Sequence, residues 1–208
     1  MVDEIDQSRR SFFRRAAGKA AEKVVEHAQT RIEARAARWI RPPFALSELE
    51  FVLACTRCGD CVEACPHKVL FPLPSSYGAD VAATAALDVL NGGCHLCEDW
   101  PCVAVCEADA LRMPQISEAQ PGEGDEASDA SASWPKMAQA QIIEGNCLPF
   151  KGPECGACEG HCPIEGTLTF HREKPRIDQA SCSGCGLCLA ACIAEPKAIQ
   201  ISSLYRQD

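Results

Sequence analysis

The sequence predicts an α+β fold, two small cysteine-rich modules behind an N-terminal amphipathic helix. Three observations predict it. Sixteen cysteines fall into four groups of four along 208 residues. Large apolar side chains are scarce, with 7 Phe, 2 Tyr and 3 Trp, so the hydrophobic core is thin and a coordinate framework must carry much of the fold. Apolar positions recur at helical spacing near the start, whereas the segments around the later cysteines are short and β-like.

The helix comes first, over residues 9–40 of an N-terminal segment, 1–41. Its stripe of Phe13, Ala17, Ala20, Val24, Ala28, Ile32, Ala36 and Trp39 advances by three or four residues and leaves the charges on the opposite face. Arg41-Pro42-Pro43 ends it, because a residue before proline avoids helical angles. Residues 1–41 carry 10 Lys/Arg against 6 Asp/Glu, and the remainder carries 10 against 23. A basic arm therefore precedes an acidic body. The net charge of -9 argues against nucleic acid as a partner, since phosphates need basic surface to neutralise them. No uncharged apolar run approaches the roughly 20 residues of a membrane span.

Ser8 to Arg14 (SRRSFFR) resembles a twin-arginine export signal, but Arg15, Lys19, Glu22 and Lys23 interrupt the apolar region that such a signal needs. The expectation is a cytoplasmic protein, whose cysteines act as thiolate ligands rather than disulfides.

The cysteines organise the rest. Residues 42–115 hold Cys55, Cys58, Cys61 and Cys65, then Cys94, Cys97, Cys102 and Cys106. Residues 136–208 hold Cys147, Cys155, Cys158 and Cys162, then Cys182, Cys185, Cys188 and Cys192. Between them, residues 116–135 contain five acidic side chains and no basic one, as in a disordered linker. Short β candidates flank the later groups at Ala140 to Ile143, Thr167 to Phe170 and Ala198 to Ile201. Pieces this short fit two-stranded ribbons around a cofactor.

Groups one and four read C-x2-C-x2-C-x3-C. Three thiolates two residues apart wrap one small object, and a 4Fe–4S cube lets each reach a different iron. In ferredoxin-like pairs the fourth cysteine ligates the partner cluster. Group two carries an insertion, Glu98-Asp99-Trp100-Pro101, and group three a long first gap from Leu148 to Glu154. Both keep the closing C-x3-C and one C-x2-C. Zinc ribbons instead place two C-x2-C knuckles well apart. The expectation is two ferredoxin-like modules, each with two 4Fe–4S clusters, and all sixteen cysteines as ligands. His67, His95 and His161 lie beside ligand cysteines, where the full thiolate set leaves them an outer role. No Ser/His/Asp set, phosphate-cradling glycine loop or nucleotide fingerprint is present, so the chain reads as an electron-transfer or accessory protein and not an enzyme.

Several marks resemble the NapF-type ferredoxins of periplasmic nitrate reductase systems. They are Ser8-Arg9-Arg10, Ile40-Arg41-Pro42-Pro43-Phe44, Cys55-Thr56-Arg57-Cys58, the long gap of group three and the closing SCSGCGLCLAAC. Group two, CHLCEDWPCVAVC, is similar to polyferredoxin subunits of the NapG and DmsB kind. The resemblance implies four 4Fe–4S clusters and electron transfer to, or maturation of, a nitrate-reductase-type molybdoenzyme before its export. The NapG/DmsB likeness implies a second reading, a permanent electron-wire subunit of an oxidoreductase complex. A cluster-based regulator is a third, which the acidic body and the lack of a DNA-reading helix pair disfavour. The basic arm is the candidate docking contact for such redox partners, and its Arg-rich face also suits a membrane surface.

Two pairings of the groups are open. Sequential pairing joins one with two and three with four. Nested pairing joins one with four and two with three, and the likeness of groups one and four favours it. In the nested arrangement Cys192 completes Cys55, Cys58 and Cys61, and Cys65 completes Cys182, Cys185 and Cys188. Likewise Cys162 completes Cys94, Cys97 and Cys102, and Cys106 completes Cys147, Cys155 and Cys158.

Overall fold

A computed structural model of the chain describes residues 22–114 and 134–206. Ser8 to Arg14, the stripe positions Phe13, Ala17 and Ala20, and residues 116–133 of the acidic segment lie outside the described residues. The first described element, α1, is helical over 22–36 and stops short of residue 40. Trp39 and Ile40 leave the helix and turn inward, ahead of Pro42 and Pro43. Only the end of the stripe is covered, since Ile32, Ala36 and Trp39 are buried whereas Val24 and Val25 are exposed. Among the described residues no helix is long and apolar enough to cross a membrane.

The two cysteine-rich halves repeat one pattern. In the first, α2 (Glu48–Ala54), α3 (Asp60–Ala64), the hairpin β1 (Leu70–Pro72) with β2 (Ala85–Leu87), and α4 (Pro101–Ala104) follow in order. A single bridge, Ala45 with Leu111, ties the entry of this half to its exit. In the second, β3 (Ala138–Ile142) and β6 (Ile199–Ser203) do the same as a five-residue antiparallel pair. They enclose α5 (Leu148–Lys151), the hairpin β4 (Leu168–His171) with β5 (Lys174–Ile177), and α6 (Leu187–Ala191).

The three β candidates correspond to β3, β4 and β6 within two residues. The strands β1, β2 and β5 escape sequence patterning because they are short and contain Pro72, two alanines and Pro175, residues of poor strand propensity. The β4–β5 turn, Arg172-Glu173, has φ of 51° and 66°. Two successive left-handed residues match the twist of a tight hairpin, but neither is the Gly or Asn that would announce it.

One core serves both halves. Ile40, Phe51, Val69, Leu70, Trp100, Val103 and Leu111 pack with Met137, Ala138 and Ile164, and Cys65, Cys94, Cys102 and Cys185 are members of the same cluster. A second cluster sets α1 on the first half through Ile32, Ala36, Trp39, Val52, Leu73 and Val81, with Tyr205 packed against it.

Under that junction lies a buried ion pair. Arg41 donates from Nε to Glu48 Oε2 at 2.9 Å and from Nη2 to Oε1 at 2.5 Å. Its Nη1 reaches Thr84 Oγ1 and the Ala85 carbonyl at 2.9 and 2.7 Å. Trp39 Nε1 also donates to Glu48 at 3.2 Å. Both charged side chains are almost fully buried, so removing one charge strands the other in a low dielectric. Glu48→Gln is expected to cost the iron-loaded protein about 3 kcal/mol, read as a lowered denaturation midpoint. An unchanged midpoint would mean the pair is dispensable.

Candidate metal centres

The local fold explains the repeated C-x3-C. Gly59 and Gly186, at φ of 88° and 89°, open α3 and α6. Each helix is five residues long and carries the third cysteine of its group, Cys61 or Cys188. The chain becomes extended at the fourth, Cys65 or Cys192. One helical turn thus separates the two cysteines, and the change of direction sends the fourth away from the first three.

Four sulfur quartets result. Cys55, Cys58 and Cys61 line a cavity of about 280 Å³ with Cys106. Cys94, Cys97 and Cys102 line a small void with Cys65. Cys182, Cys185 and Cys188 line a matching void with Cys162. Cys147, Cys155 and Cys158 gather with Cys192, whose proximity is felt by the Cys158 thiol. Every fourth cysteine therefore crosses to the neighbouring group in sequence. The nested arrangement is incorrect for this fold: Cys65 stands with Cys94, Cys97 and Cys102 rather than with Cys182, Cys185 and Cys188, and Cys192 stands with group three rather than with group one. The physical reason is that β1–β2 and β4–β5 fold groups one and two, and groups three and four, back on each other before the halves meet.

The donor set fits a cube: three of the quartets line a cavity or void with four sulfurs, one thiolate for each iron. All sixteen thiols are unpaired with one another. Burial, and then the charge of neighbouring sulfurs, pushes Cys61 up to about 11 and Cys102 and Cys188 up to about 12. Iron entering these quartets must therefore displace protons. Backbone N–H groups are already aimed at sulfur: Leu111 donates to Cys106 Sγ and Ala198 to Cys192 Sγ, both at 3.4 Å. Such bonds stabilise a thiolate and, in a cluster, tune its potential.

The irregular groups prove to be packed. Trp100, from the group-two insertion, is buried and meets Phe44 edge to face at 4.8 Å, and Pro101 opens α4. The long gap of group three winds into α5, whose Phe150 packs toward Cys147 and Cys192. His67 and His95 stack at 3.6 Å beside the second quartet, and burial with the His67 charge holds His95 below its ordinary value. His161 faces solvent with Nδ1 3.1 Å from the Glu159 carbonyl.

The quartets adjoin one another in succession. Cys61 of the first lies close enough to raise the Cys102 thiol of the second. Cys185 of the third acts in the same way on Cys94 of the second, and Cys158 of the fourth on Cys188 of the third. The middle contact is backbone to backbone, with Cys94 N–H donating to the Cys185 carbonyl at 2.8 Å. Gly93, at φ 101°, makes it: a Cβ there would come within 2.8 Å of the Cys185 oxygen and 2.9 Å of Leu187 nitrogen. Sequence reasoning missed Gly93, because its neighbour is ninety residues away along the chain.

Comparison with known proteins adds the following. A model of the 4Fe–4S binding domain matches residues 53–71. The ferredoxin-type protein NapG of Escherichia coli is 32% identical over 210 residues, covering 94% of this chain and 84% of NapG. The methylamine utilization ferredoxin-type protein MauM of Paracoccus denitrificans is 32% identical over 178 residues, covering 79% and 71%. NapF of Escherichia coli is more distant, at 26% over 164 residues, covering 76% and 82%, so the NapF resemblance yields to one with NapG and MauM. No solved structure matches.

Proposed function

The chain belongs to the family of ferredoxin-type proteins that includes NapG and MauM, and we propose that it is a relay of four 4Fe–4S clusters, passing single electrons between redox partner proteins. All sixteen cysteines serve as ligands in the four quartets described above, in two ferredoxin-like modules. The observation that carries this reading is the succession of quartets, each adjoining the next and the middle pair joined through Cys94 and Cys185. Bound clusters supply one-electron chemistry. The chain's own residues hold the ligands, exclude water from Cys94, Cys102 and Cys185, and bring the halves together at Gly93. Reduced thiols are required for loading, so assembly takes place in a reducing compartment.

The partner is a redox enzyme, and the methylamine utilization in the name of MauM favours leaving its class open beyond that. Maturation of a molybdoenzyme is the second reading, resting on the sequence marks of the NapF type alone. A stoichiometric, salt-resistant complex on co-purification supports a permanent wire subunit, electron transfer by a chain recovered as a free monomer supports a relay between exchanging partners, and a free monomer that passes no electrons supports maturation. Anaerobic purification should yield about sixteen iron and sixteen acid-labile sulfide per chain, four of each per cube. Zinc in their place, or far less iron after reconstitution, overturns the proposal.

A further inference from the structure

The fourth quartet ends the succession, and the surface beside it has a charge unlike the rest of the body. Ten Lys/Arg follow residue 41, against 23 Asp/Glu, yet Arg172, Lys174 and Arg176 fall within five positions of the β4–β5 hairpin. They line a groove of about 650 Å³ together with Ile142, Glu144 and Phe150. All three basic side chains are exposed, and among the described residues none of them forms an ion pair. Glu144 is the carboxylate of the wall, and Glu173 sits at the hairpin tip.

Two walls of the groove are also walls of the quartet. Phe150 and Ile142 line it and also pack against the cluster of Cys147, Ala194 and Ala198, which Cys192 joins, while Lys174 Nζ lies 4.9 Å from the Phe150 ring centre. The groove and the terminal ligands thus share the Phe150–Ile142 wall. The opposite end of the succession is acidic: Asp60, Glu63 and Glu107 are exposed near the first quartet. Arg57 at that end is engaged by the Asp80 and Ala82 carbonyls at 2.7 and 3.1 Å.

We propose that the groove lined by Arg172, Lys174 and Arg176 docks an acidic redox protein, which exchanges electrons with the fourth quartet through the Phe150–Ile142 wall. The inference rests on the relay reading and assigns one of its two termini. One electron crosses per encounter, the cluster and the partner's cofactor changing by one in opposite senses, with no bond made or broken. Charge complementarity picks the occupant. Against a net-acidic body, this concavity with its three cations attracts an acidic protein and orients it as well as binding it. An anionic bilayer is extended and would meet the acidic surroundings together with the groove.

The test uses the full iron-loaded chain and an acidic flavodoxin as probe. Calorimetric titration at low ionic strength should show binding that weakens as salt rises. The neutral variant R172Q/K174Q/R176Q should bind at least tenfold more weakly and the reversed variant R172E/K174E/R176E not measurably. Iron content and visible spectrum should stay as in the wild type. Reduction by flavodoxin hydroquinone should slow in parallel with the loss of affinity. Equal affinity of wild type and the reversed variant overturns the proposal, as does tighter, equally charge-dependent binding of the wild type to phosphatidylglycerol vesicles. A wild type that binds no iron overturns the relay itself, and the iron assay separates that outcome from failure of the docking site alone.

Discussion

Stripping the iron from the anaerobically purified protein is expected to unfold most of residues 50–205. The elements around the quartets cannot stand alone. Helices α3 to α6 are four or five residues long, below the length at which an isolated helix persists in water. The sheets are two-stranded, and such ribbons are marginal without something to pack on. The shared core counts Cys65, Cys94, Cys102 and Cys185 among its own members, so losing the cluster removes the centre of the packing and leaves buried thiols around a void. Ligation then supplies the folding free energy, as in other small metal-organised domains. Chelation under reducing conditions should collapse the far-ultraviolet circular dichroism signal. A spectrum unchanged after complete iron removal would show that the apolar core suffices.

Cys65→Ser is expected to damage the cluster held by Cys94, Cys97 and Cys102, with loss of about four of sixteen iron. Cys65 sits at the extended end of α3, and its side chain lines the second quartet's void. Cys182, Cys185 and Cys188 stand with Cys162 instead, so the cluster proposed there should persist. Cys162→Ser should produce the converse loss. Electron paramagnetic resonance of the dithionite-reduced variants, compared with the wild type, distinguishes the two. Loss of the signal from the Cys182 group in Cys65→Ser would restore the nested pairing and remove the geometric basis of the relay order.

Much of this was legible in the cysteine spacing, and the rest was hidden for identifiable reasons. The β segments at 140, 167 and 198 were readable because alternating or β-branched residues mark them. β5 was not, since Pro175 occupies its buried position and its turn lacks glycine and asparagine. The apolar stripe alone extends α1 to residue 40, because Trp39 continues it although its backbone has already left the helix. Arg41 stands out in the sequence only as part of a proline-rich mark. Nothing in the sequence singles out its partner Glu48, and only the buried contact distinguishes it. Phe150 and Trp100 were read as loop residues between cysteines, because a gap in a motif carries no sign of where its side chains go.

The spacing by itself determined the division of the cysteines into fours and the thiolate chemistry suited to an iron–sulfur cube. Those are local matters, governed by how far two or three residues of backbone can reach around one object. Which fourth cysteine closes which quartet, the order of the quartets in space and the basic groove at one end were decided by tertiary structure alone. A side chain leaving the end of a short helix meets whatever segment packs opposite, and that choice depends on hairpins and interhalf contacts between residues far apart along the chain.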